Sequence, residues 1–244
     1  MPRFFVTKEE IGESFMVLTG ENAAHAKVLR LKNGDAVTVC DGEGTDYRCT
    51  VSDVASGQIS LVVHAAAPAE SEAGVQCSVY MAFAKADKFE HVIQKATELG
   101  ASELVCFPSA RCVSRPDEKS LAKKLERWQK IAASAAEQSR RGRIPQVLAL
   151  PSYQAALERA AQAELAVCFY ENEEKLTFRA AIERKTPFRT AALLTGPEGG
   201  FEPEEITQAA KAGLAICTLG SRILRCETAP LCALSALMYA VGEF

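Results

Sequence analysis

The sequence contains no Cys-x-x-Cys pair, although nine of its 244 residues are cysteines. Zinc sites and dithiol redox sites are usually built from such pairs. The three histidines also do not combine with closely spaced cysteines in the sequence to form a zinc-ligand pattern. Several cysteines instead lie in apolar runs, where a thiol packs as a small hydrophobic group: Cys77, Cys106, Cys168 and Cys217. We therefore expect no disulfide, no metal site and a reducing, cytoplasmic location.

Long apolar runs are also missing. No uncharged run approaches the ~20 residues of a membrane helix, and residues 229–241 come nearest. The first ten residues lack the charged start, apolar stretch and cleavage site of a signal peptide. We expect no membrane partner. With 48% apolar and 24% charged residues, the chain is typical of a globular protein with one large domain or two modest ones.

An overall excess of positive charge is absent as well, because the formal net charge is −3. That value alone argues against a nucleic-acid partner. Residues 111–143, however, contain ten lysines and arginines against four acids. A solvated helix face explains most such runs, but the local excess keeps an RNA-binding surface open as an alternative.

The hydrophobic periodicity changes near residue 70. Residues 1–68 read as short strands with turn signals between them and one helix at residues 21–30, a pattern typical of a small barrel. The polar, small residues 65–74 are predicted to be a linker. Beyond them, strands alternate with helices, among them residues 87–99, 118–140 and one that begins at Ser152. This alternation predicts an α/β domain with a mostly parallel sheet covered on both faces.

The string LLTGPEGGF, residues 193–201, reads as a buried strand that ends in a glycine-rich loop. Glycine allows a ligand to approach the backbone closely, although such a loop is often only a turn. No Gly-Lys-Ser/Thr follows, and the string is not Gly-x-Gly-x-x-Gly, so a phosphate cradle is not indicated. The next helix is marked by Pro203 in its first turn and Gly213 at its end.

The string LGSRILRCETAPLCALSAL, residues 219–237, reads as a second strand end that leads into an apolar helix. Ile223 and Leu224 lie between Arg222 and Arg225, and apolar residues in a polar loop can form a slot for a flat ring. They can equally anchor the loop in the core, and Glu227 or Thr228 can simply cap the helix. Two such loops at the carboxyl ends of parallel strands predict a small-molecule cleft.

These two loops resemble those of the RsmE family, the ribosomal RNA small-subunit uridine-N3 methyltransferases of the SPOUT superfamily. The resemblance extends over nearly the whole chain, because five strings occur in the order expected of the family: HAKVLRLKNGD, FEHVIQKATELGA, KKLERWQKIAASAAEQSRRGRIPQV, LLTGPEGGF and LGSRILRCETA. The last two are the most specific. The family usually has threonine where this chain has Cys226, so no hydroxyl group is available at that position.

The resemblance implies a PUA-like RNA-binding β-barrel at residues 1–70 and a knotted SPOUT methyltransferase domain at residues 75–244. It implies S-adenosylmethionine as the cofactor and no metal ion. The residues that match the cofactor loops of the family are Leu194, Thr195, Gly196, Gly199, Gly200, Leu219, Gly220, Ile223, Leu224, Arg225, Thr228 and Ala229.

The same resemblance implies methylation of uridine N3, a weakly acidic position that must lose its proton. A guanidinium near the uracil oxygens favours the anion, and Arg225 and Arg222 are the nearest candidates. Either Glu198 or Glu227 could orient these arginines. No histidine occurs in either loop, so water or a carboxylate is left as the proton acceptor.

The implied partners are 16S ribosomal RNA of the small ribosomal subunit and a second copy of the chain. The final helix is apolar around much of its circumference, which favours burial on more than one side. Burial within one subunit would explain that pattern as well. The candidates for RNA contacts are Arg3, Arg30, Arg140, Arg141 and Arg143.

Other functions stay open at this point. A non-catalytic RNA-binding or ribosome-assembly protein would explain the barrel and the basic segment but would leave both glycine-containing loops unused. A nucleotide-using enzyme would need the phosphate loop and metal ligands that the sequence lacks. A SPOUT methyltransferase that acts on another RNA site is the nearest alternative, because a cofactor pocket does not choose the substrate.

Overall fold

A computed structural model describes residues 1–85 and 87–244. Their contacts divide the chain into two compact units. Unit 1 comprises Met1–Glu72 together with Ala136–Ile144, and unit 2 comprises Ala73–Ala135 together with Pro145–Phe244. No sequence pattern indicated that the short segment Ala136–Ile144 belongs with the N-terminal residues.

Unit 1 is built on a five-stranded sheet in the order β1-β3-β4-β5-β2. The strands are β1 (Arg3–Phe5), β2 (Phe15–Leu18), β3 (Ala36–Cys40), β4 (Thr45–Ala55) and β5 (Gln58–Pro68), and one helix, α1 (Gly20–Val28), follows β2. All neighbouring strands are antiparallel except β1 and β3. The five predicted strands and the helix are confirmed, although β4 and β5, with 11 residues each, are longer than expected.

Side-chain alternation explains how this sheet forms a core. In β2, Met16 and Leu18 are buried, while Phe15 and Val17 between them are exposed. The inward side chains of the other strands join the same cluster: Phe4, Val37, Val39, Cys49, Val51, Ile59 and Leu61. One apolar cluster enclosed by the inward side chains of a five-stranded sheet agrees with the predicted small barrel.

The predicted linker at residues 65–74 is wrong in its first part, because β5 continues to Pro68. Ala65, Ala66 and Ala67 pair with β4 in an antiparallel ladder. Alanine and proline are poor strand formers, so their composition suggested a linker. Backbone hydrogen bonding to a long partner strand outweighs that weak preference here.

Unit 2 contains a six-stranded sheet in the order β11-β9-β10-β6-β7-β8, and every neighbouring pair is parallel. The strands are β6 (Gln76–Ala82), β7 (Glu103–Phe107), β8 (Gln146–Ala149), β9 (Leu165–Phe169), β10 (Thr190–Thr195) and β11 (Ala215–Cys217). Four of the five residues of β7 and all five of β9 are buried, as expected of strands covered on both faces. The predicted parallel sheet is confirmed.

The remaining helices are α2 (Lys88–Glu98), α3 (Glu118–Gln138), α4 (Tyr153–Ala160), α5 (Phe178–Lys185), α6 (Pro203–Lys211) and α7 (Thr228–Ala240). Helix α2 buries Phe89, Val92 and Ala96 at helical spacing, as predicted. Ser152 caps α4, because its hydroxyl accepts a hydrogen bond of 3.1 Å from the Ala155 N–H. Over the described residues, no helix is both long and apolar enough to cross a membrane.

Helix α5 was not predicted. It has only eight residues, and it is flanked by Thr177 and Thr186. Threonine is common in strands and loops, so these residues did not indicate a helix. The signals were nevertheless present, because Phe178, Ala181 and Ile182 are buried at helical spacing. Thr177 caps the helix by accepting a hydrogen bond from the Ala180 N–H. A cap and one short apolar stripe are enough in the folded protein, where packing supplies the stability that a short helix lacks.

Candidate active site

A cavity of about 870 Å³ lies in unit 2, where the loops after β9, β10 and β11 come together with Lys88 after β6. These four strands are adjacent in the sheet, so their carboxyl ends meet at one edge. Small-molecule sites in open parallel sheets form at this edge, and the volume is in the usual range for them. Among the described residues, no group of three or more His, Cys, Asp or Glu side chains could hold a metal ion.

Most of the residues selected from the sequence line this cavity. From the proposed cofactor set these are Thr195, Gly196, Gly199, Gly200, Leu219, Gly220, Ile223, Leu224, Arg225 and Ala229. The three proposed catalytic residues, Glu198, Arg222 and Arg225, line it too. Two loops separated in the sequence by α6 and β11 therefore share one cavity.

Two members of the proposed cofactor set do not line the cavity. Leu194 is fully buried inside β10, and Thr228 is exposed at the first residue of α7. The apolar pair between the arginines, Ile223 and Leu224, also does not anchor the loop in the core in the way that the sequence left open. Ile223 is 86% exposed, whereas Leu224 is half-buried. The loop therefore does not place both apolar side chains in the core.

Two glycines shape the cavity through backbone conformations that side chains disfavour. Gly200 has φ +68°, and a Cβ there would lie 2.3 Å from a carboxylate oxygen of Glu171. Gly220 has φ +103°, and the hydroxyl of Thr218 accepts a hydrogen bond of 3.1 Å from its N–H. A Cβ on Gly220 would meet no protein atom within 4 Å, so open space adjoins this backbone.

The glycine-rich loop after β10 is tied down by Arg111. Its guanidinium donates to the Gly199 carbonyl oxygen at 2.9 Å and to both carboxylate oxygens of Glu202 at 2.8 and 2.9 Å. The next turn is fixed by a buried carboxylate, because Glu205 accepts hydrogen bonds from the N–H groups of Glu202 and Ala110. The second half of the loop, from Gly199 to the start of α6, is therefore held by charged side chains.

Lys88 connects the two cavity loops. Its ammonium nitrogen lies 3.1 Å from Oε1 of Glu198 and 3.6 Å from Oε2 of Glu227. Oε1 of Glu198 also accepts a hydrogen bond of 2.9 Å from the Lys85 N–H. One lysine after β6 thus joins the loop after β10 to the residue that precedes α7.

The three charges of this group stabilise one another. Burial acts to lower the pKa of Lys88, but the hydrogen bond with Glu198 and the nearby negative charges outweigh it and raise that pKa. Burial acts to raise the pKa of each glutamate, and hydrogen bonds to the carboxylates, with the charge of Lys88, reverse this. The pKa values of Glu198 and Glu227 are therefore lowered, and all three groups are charged at neutral pH.

The prediction that Glu198 or Glu227 orients Arg222 or Arg225 is wrong. Both carboxylates bind Lys88 instead. Within the described part of the chain, neither arginine side chain forms an ion pair. Both arginines are exposed, so their guanidinium groups are available to a ligand in the cavity.

Cys226 is buried against the same charged group. Its thiol donates to Oε2 of Glu227 at 3.2 Å, and the Lys88 ammonium donates to its sulfur at 3.6 Å. Burial, together with the hydrogen bond to Glu227, raises the pKa of the Cys226 thiol to about 11. The thiol is therefore protonated at neutral pH and acts as a donor, a role that a threonine hydroxyl can also fill.

Two of the five arginines proposed to contact RNA are occupied within unit 1. Arg3 binds both carboxylate oxygens of Asp46, and only 10% of its side chain is exposed. Arg141 binds Glu72 through a 2.6 Å hydrogen bond, and 5% of its side chain is exposed. Buried, paired guanidinium groups stabilise the fold and cannot reach a phosphate, so Arg3 and Arg141 are withdrawn from the set.

The other three arginines are exposed: Arg30, Arg140 and Arg143. Arg30 and Arg140 have φ +57° and +62°, the left-handed region that favours glycine. Each follows a helix, α1 or α3, where the next N–H bonds back to a carbonyl five residues earlier. This is the helix ending at which glycine is the usual residue, so arginine there is a strained choice.

Comparison with known proteins matches a model described as an RNA methyltransferase domain to residues 71–238. A model described as an RNA methyltransferase PUA domain matches residues 18–63. The ribosomal RNA small subunit methyltransferase E of Bacillus subtilis (strain 168) is 37% identical over 247 residues, which cover 98% of this chain and 96% of the relative. The chain belongs to the ribosomal RNA small subunit methyltransferase E family.

Solved structures of similar proteins extend over the whole chain. A crystal structure of a member of this family from Neisseria gonorrhoeae, bound to S-adenosyl methionine, is 29% identical with a TM-score of 0.89 and covers 100% of this chain and 99% of that one. A putative methyltransferase from Legionella pneumophila, in complex with the same cofactor, is 28% identical with a TM-score of 0.85 and covers 98% and 97%. The SPOUT-type fold inferred from the two loops is that of the family.

Sequence reasoning missed several residues of the cavity in this family member. They are Lys88, Phe169, Tyr170, Glu171, Glu173, Glu174, Pro197, Phe201, Thr218 and Ser221. Those after β9 carry a usable signal, because they follow a fully buried strand. Lys88 carries none, since its two partners lie more than 100 residues away in the sequence.

Proposed function

We propose that this protein transfers a methyl group from S-adenosylmethionine to N3 of a uridine in 16S ribosomal RNA of the small ribosomal subunit. One observation carries the proposal: a cavity at the carboxyl edge of a parallel sheet, bounded by two glycine-containing loops and two unpaired arginines, in a chain of this family. A non-catalytic RNA-binding protein has no use for such a cavity.

The residues present fit the cofactor. The cavity is large enough for a nucleoside with an amino-acid side chain, and the backbone of Gly196, Gly200 and Gly220 borders it. The cavity also combines apolar side chains such as Phe169 and Leu219 with the carboxylate of Glu171. S-adenosylmethionine, when bound, supplies a methyl group on a positively charged sulfur. No metal is required for this chemistry.

The protein must favour the N3 anion of uracil. The N–H at N3 must give up its proton so that the nitrogen lone pair is available. S-adenosylmethionine would supply the methyl group: its carbon–sulfur bond would break as the bond to N3 forms, and S-adenosylhomocysteine would leave with the electron pair. Arg225 and Arg222 border the cavity, and their guanidinium groups form no ion pair with any residue that the structure describes. A positive charge beside the uracil oxygens stabilises the negative charge as it develops. We assign this role first to Arg225 and second to Arg222.

The proton from N3 needs an acceptor. Glu198 and Glu227 are weak bases, because their pKa values are lowered and both are bound to Lys88. Their part is to hold the loops, and the proton leaves to water or to another carboxylate of the cavity. Glu198, first considered as a residue that orients the arginines, is therefore assigned to holding the loops and not to accepting the proton.

Unit 1 is proposed to bind the RNA. Its exposed arginines Arg30, Arg140 and Arg143 are the phosphate contacts that we retain. Arg30 and Arg140 occupy strained backbone positions where glycine would be more stable. A strained residue is retained where its side chain has a use, and phosphate binding is such a use for arginine.

A homodimer in the cytoplasm is proposed as the working form. Within α7, Ala233, Leu234, Leu237 and Met238 are buried in the chain itself. The other side of the helix, however, exposes Cys232, Ala236 and Tyr239, and 72% of Tyr239 is accessible. An apolar, uncharged helix face of this kind favours burial against a second copy.

The experiment that tests the function combines purified protein, S-adenosylmethionine with a labelled methyl group, and small ribosomal subunits from a strain that lacks the corresponding gene. We expect one label per subunit, recovered as 3-methyluridine at one 16S rRNA position. Label at another base or atom would favour a SPOUT methyltransferase of different specificity. Cofactor binding without any transfer would favour the non-catalytic alternative.

A further inference from the structure

Lys88 lies at the junction of three chain segments that are far apart in the sequence. Its ammonium nitrogen is 3.1 Å from Glu198 in the loop after β10, and 3.6 Å from both Glu227 and Cys226 before α7. About a quarter of each of the three charged side chains is exposed, so water screens the group only in part. Lys88 and Glu198 both line the cavity that contains Arg225.

We propose that Lys88 is a positioning residue for methyl transfer. Its ammonium group pairs with the carboxylates of Glu198 and Glu227 and offsets one of their two negative charges. Because the carboxylates are paired with Lys88, the guanidinium of Arg225 stays available to the uracil anion. The inference rests on the proposed function, because it assumes that a negative charge develops in this cavity.

The first reason is electrostatic. Glu198, Glu227 and Lys88 together carry one net negative charge, and without the lysine they would carry two. An uncompensated carboxylate in a partly screened cavity disfavours a second negative charge there, and at an effective dielectric constant of about 20 it would raise the apparent pKa of bound uridine by about one unit. Lys88 therefore keeps the N3 anion accessible at neutral pH.

The second reason concerns Arg225. This residue lies two positions before Glu227, and Glu198 lines the same cavity. If the two carboxylates lost their lysine, an unpaired guanidinium would be the nearest available cation in their loop. An arginine bound to Glu227 or Glu198 cannot stabilise the substrate, so Lys88 preserves the charge distribution that the reaction uses.

Lys88 itself is not the base that accepts the proton, because its pKa is raised. The groups that face its ammonium are Glu198 and Glu227 from the two loops and the Cys226 thiol. Five further charged groups line the cavity and act on the same substrate: Glu171, Glu173, Glu174, Arg222 and Arg225. Among the described residues, none of these three further glutamates forms an ion pair with Lys88.

A first experiment needs neither cofactor nor substrate. The carboxyl carbons of ¹³C-labelled glutamate are followed by NMR through a pH titration, with assignment by Glu198→Gln and Glu227→Gln. In the wild type, both residues should titrate below the ordinary glutamate range. In Lys88→Met, both pKa values should rise, and Lys88→Arg should keep them low. Lys95→Met, which removes a half-exposed lysine of the same helix, serves as the matched control.

A second experiment measures single-turnover methyl transfer as a function of pH with saturating cofactor. Lys88→Met should lower the rate at neutral pH about tenfold and move the midpoint of the profile upward by about one pH unit. Lys88→Arg should restore most of the rate. In Lys88→Met/Glu198→Gln, the midpoint should return toward that of the wild type, because one of the uncompensated charges is gone.

An unchanged midpoint in Lys88→Met, with glutamate pKa values that also stay low, would overturn the proposal. So would a loss of rate that follows only from a lower melting temperature and weaker cofactor binding, since Lys88 would then be a structural tie alone. If Lys88→Met does not fold, Glu227→Gln takes its place. The midpoint of its rate–pH profile should fall, because one negative charge is removed, and a rise would contradict the proposal. Failure of the wild type to methylate uridine N3 would instead reject the proposed function. The glutamate titration would still test whether Lys88 lowers the pKa values of Glu198 and Glu227.

Discussion

The guanidinium group of Arg111 binds the carboxylate of Glu202 through two hydrogen bonds of 2.8 and 2.9 Å. A third hydrogen bond of 2.9 Å reaches the Gly199 carbonyl oxygen. The two acceptors lie three residues apart, in the loop that borders the cavity and at the start of α6, so one side chain from the loop after β7 fixes the shape of another loop. Bidentate arginine–carboxylate pairs are the surface ion pairs with the most specific geometry.

Arg111→Ala should therefore weaken cofactor binding more than it weakens the fold. Because the pair is about 40% exposed, we expect a modest effect, about a two- to fivefold increase in Kd with little change in Tm. Calorimetric titration with S-adenosylmethionine measures it. The control is Arg179→Ala, whose side chain is 86% exposed in a loose 3.7 Å pair on α5. Equal effects of the two substitutions would show that Arg111 does not shape the cavity.

Gly200→Ala should reduce cofactor affinity by about tenfold or more. The added methyl group would lie 2.3 Å from Oε1 of Glu171 and would occupy a backbone conformation with φ +68°. Glu171 or the loop must then move, and both border the cavity. Thermal denaturation and the Kd for S-adenosylmethionine are the two measurements.

Gly213→Ala is the matched control for this substitution. Gly213 has φ +94°, but its Cβ would meet no atom within 4 Å. It should destabilise the protein by about 1 kcal/mol through backbone strain and leave the Kd unchanged. If both variants bind cofactor normally, the cavity described above is not the cofactor site.

Much of this site was predictable because it follows directly from strand ends. Gly196, Gly200 and Gly220 come directly after or close to buried strands, and parallel strands bring such loops to one edge of the sheet. The sequence pattern sufficed for the sheet as well, because β9 is a continuous apolar run and β7 is apolar after its first residue. What periodicity and loop composition determine was therefore accessible before the structure.

Contacts between distant side chains were not accessible. The pairing of Arg3 with Asp46, and of Arg141 with Glu72, depends on strand register and on a loop that joins unit 1 from 69 residues away. The pairing of Lys88 with two glutamates depends on the meeting of three segments. No local pattern encodes which cation meets which carboxylate, so the charges seen in the sequence could not be divided into structural and available ones.

Arg225→Ala should lower kcat by about 100-fold while cofactor affinity and Tm change little. The side chain is exposed at the cavity and has no ion-pair partner among the described residues, so its removal breaks no ion pair there. Arg225→Lys should restore the rate only in part, because a point charge cannot reproduce a planar guanidinium. Parallel losses of Tm and cofactor affinity would instead identify Arg225 as a structural residue.

Tyr239→Glu should convert a homodimer into monomers. The side chain is 72% exposed on the face of α7 opposite the buried core, so a charge there should not disturb the single chain. Light scattering at micromolar concentration distinguishes the two masses. Val54→Glu, which places the same charge at an exposed apolar position of β4, is the control. A monomeric wild type would contradict the proposed dimer.

Arg30→Gly and Arg140→Gly should stabilise the protein and weaken RNA binding at the same time. Both arginines have positive φ at helix ends, where glycine avoids the strain, so each substitution should raise the free energy of unfolding by about 0.5–1 kcal/mol. Each also removes an exposed charge from unit 1, so RNA affinity should fall and its dependence on log salt should become shallower by about one counterion.

Arg30→Lys keeps both the charge and the strain, and should match the wild type in stability and closely in affinity. If the glycine variants gain stability and bind small-subunit RNA as tightly as the wild type, these arginines are not phosphate contacts. Opposite changes in the two measurements are the expected result, because a residue retained only for the fold would not be an arginine in this conformation.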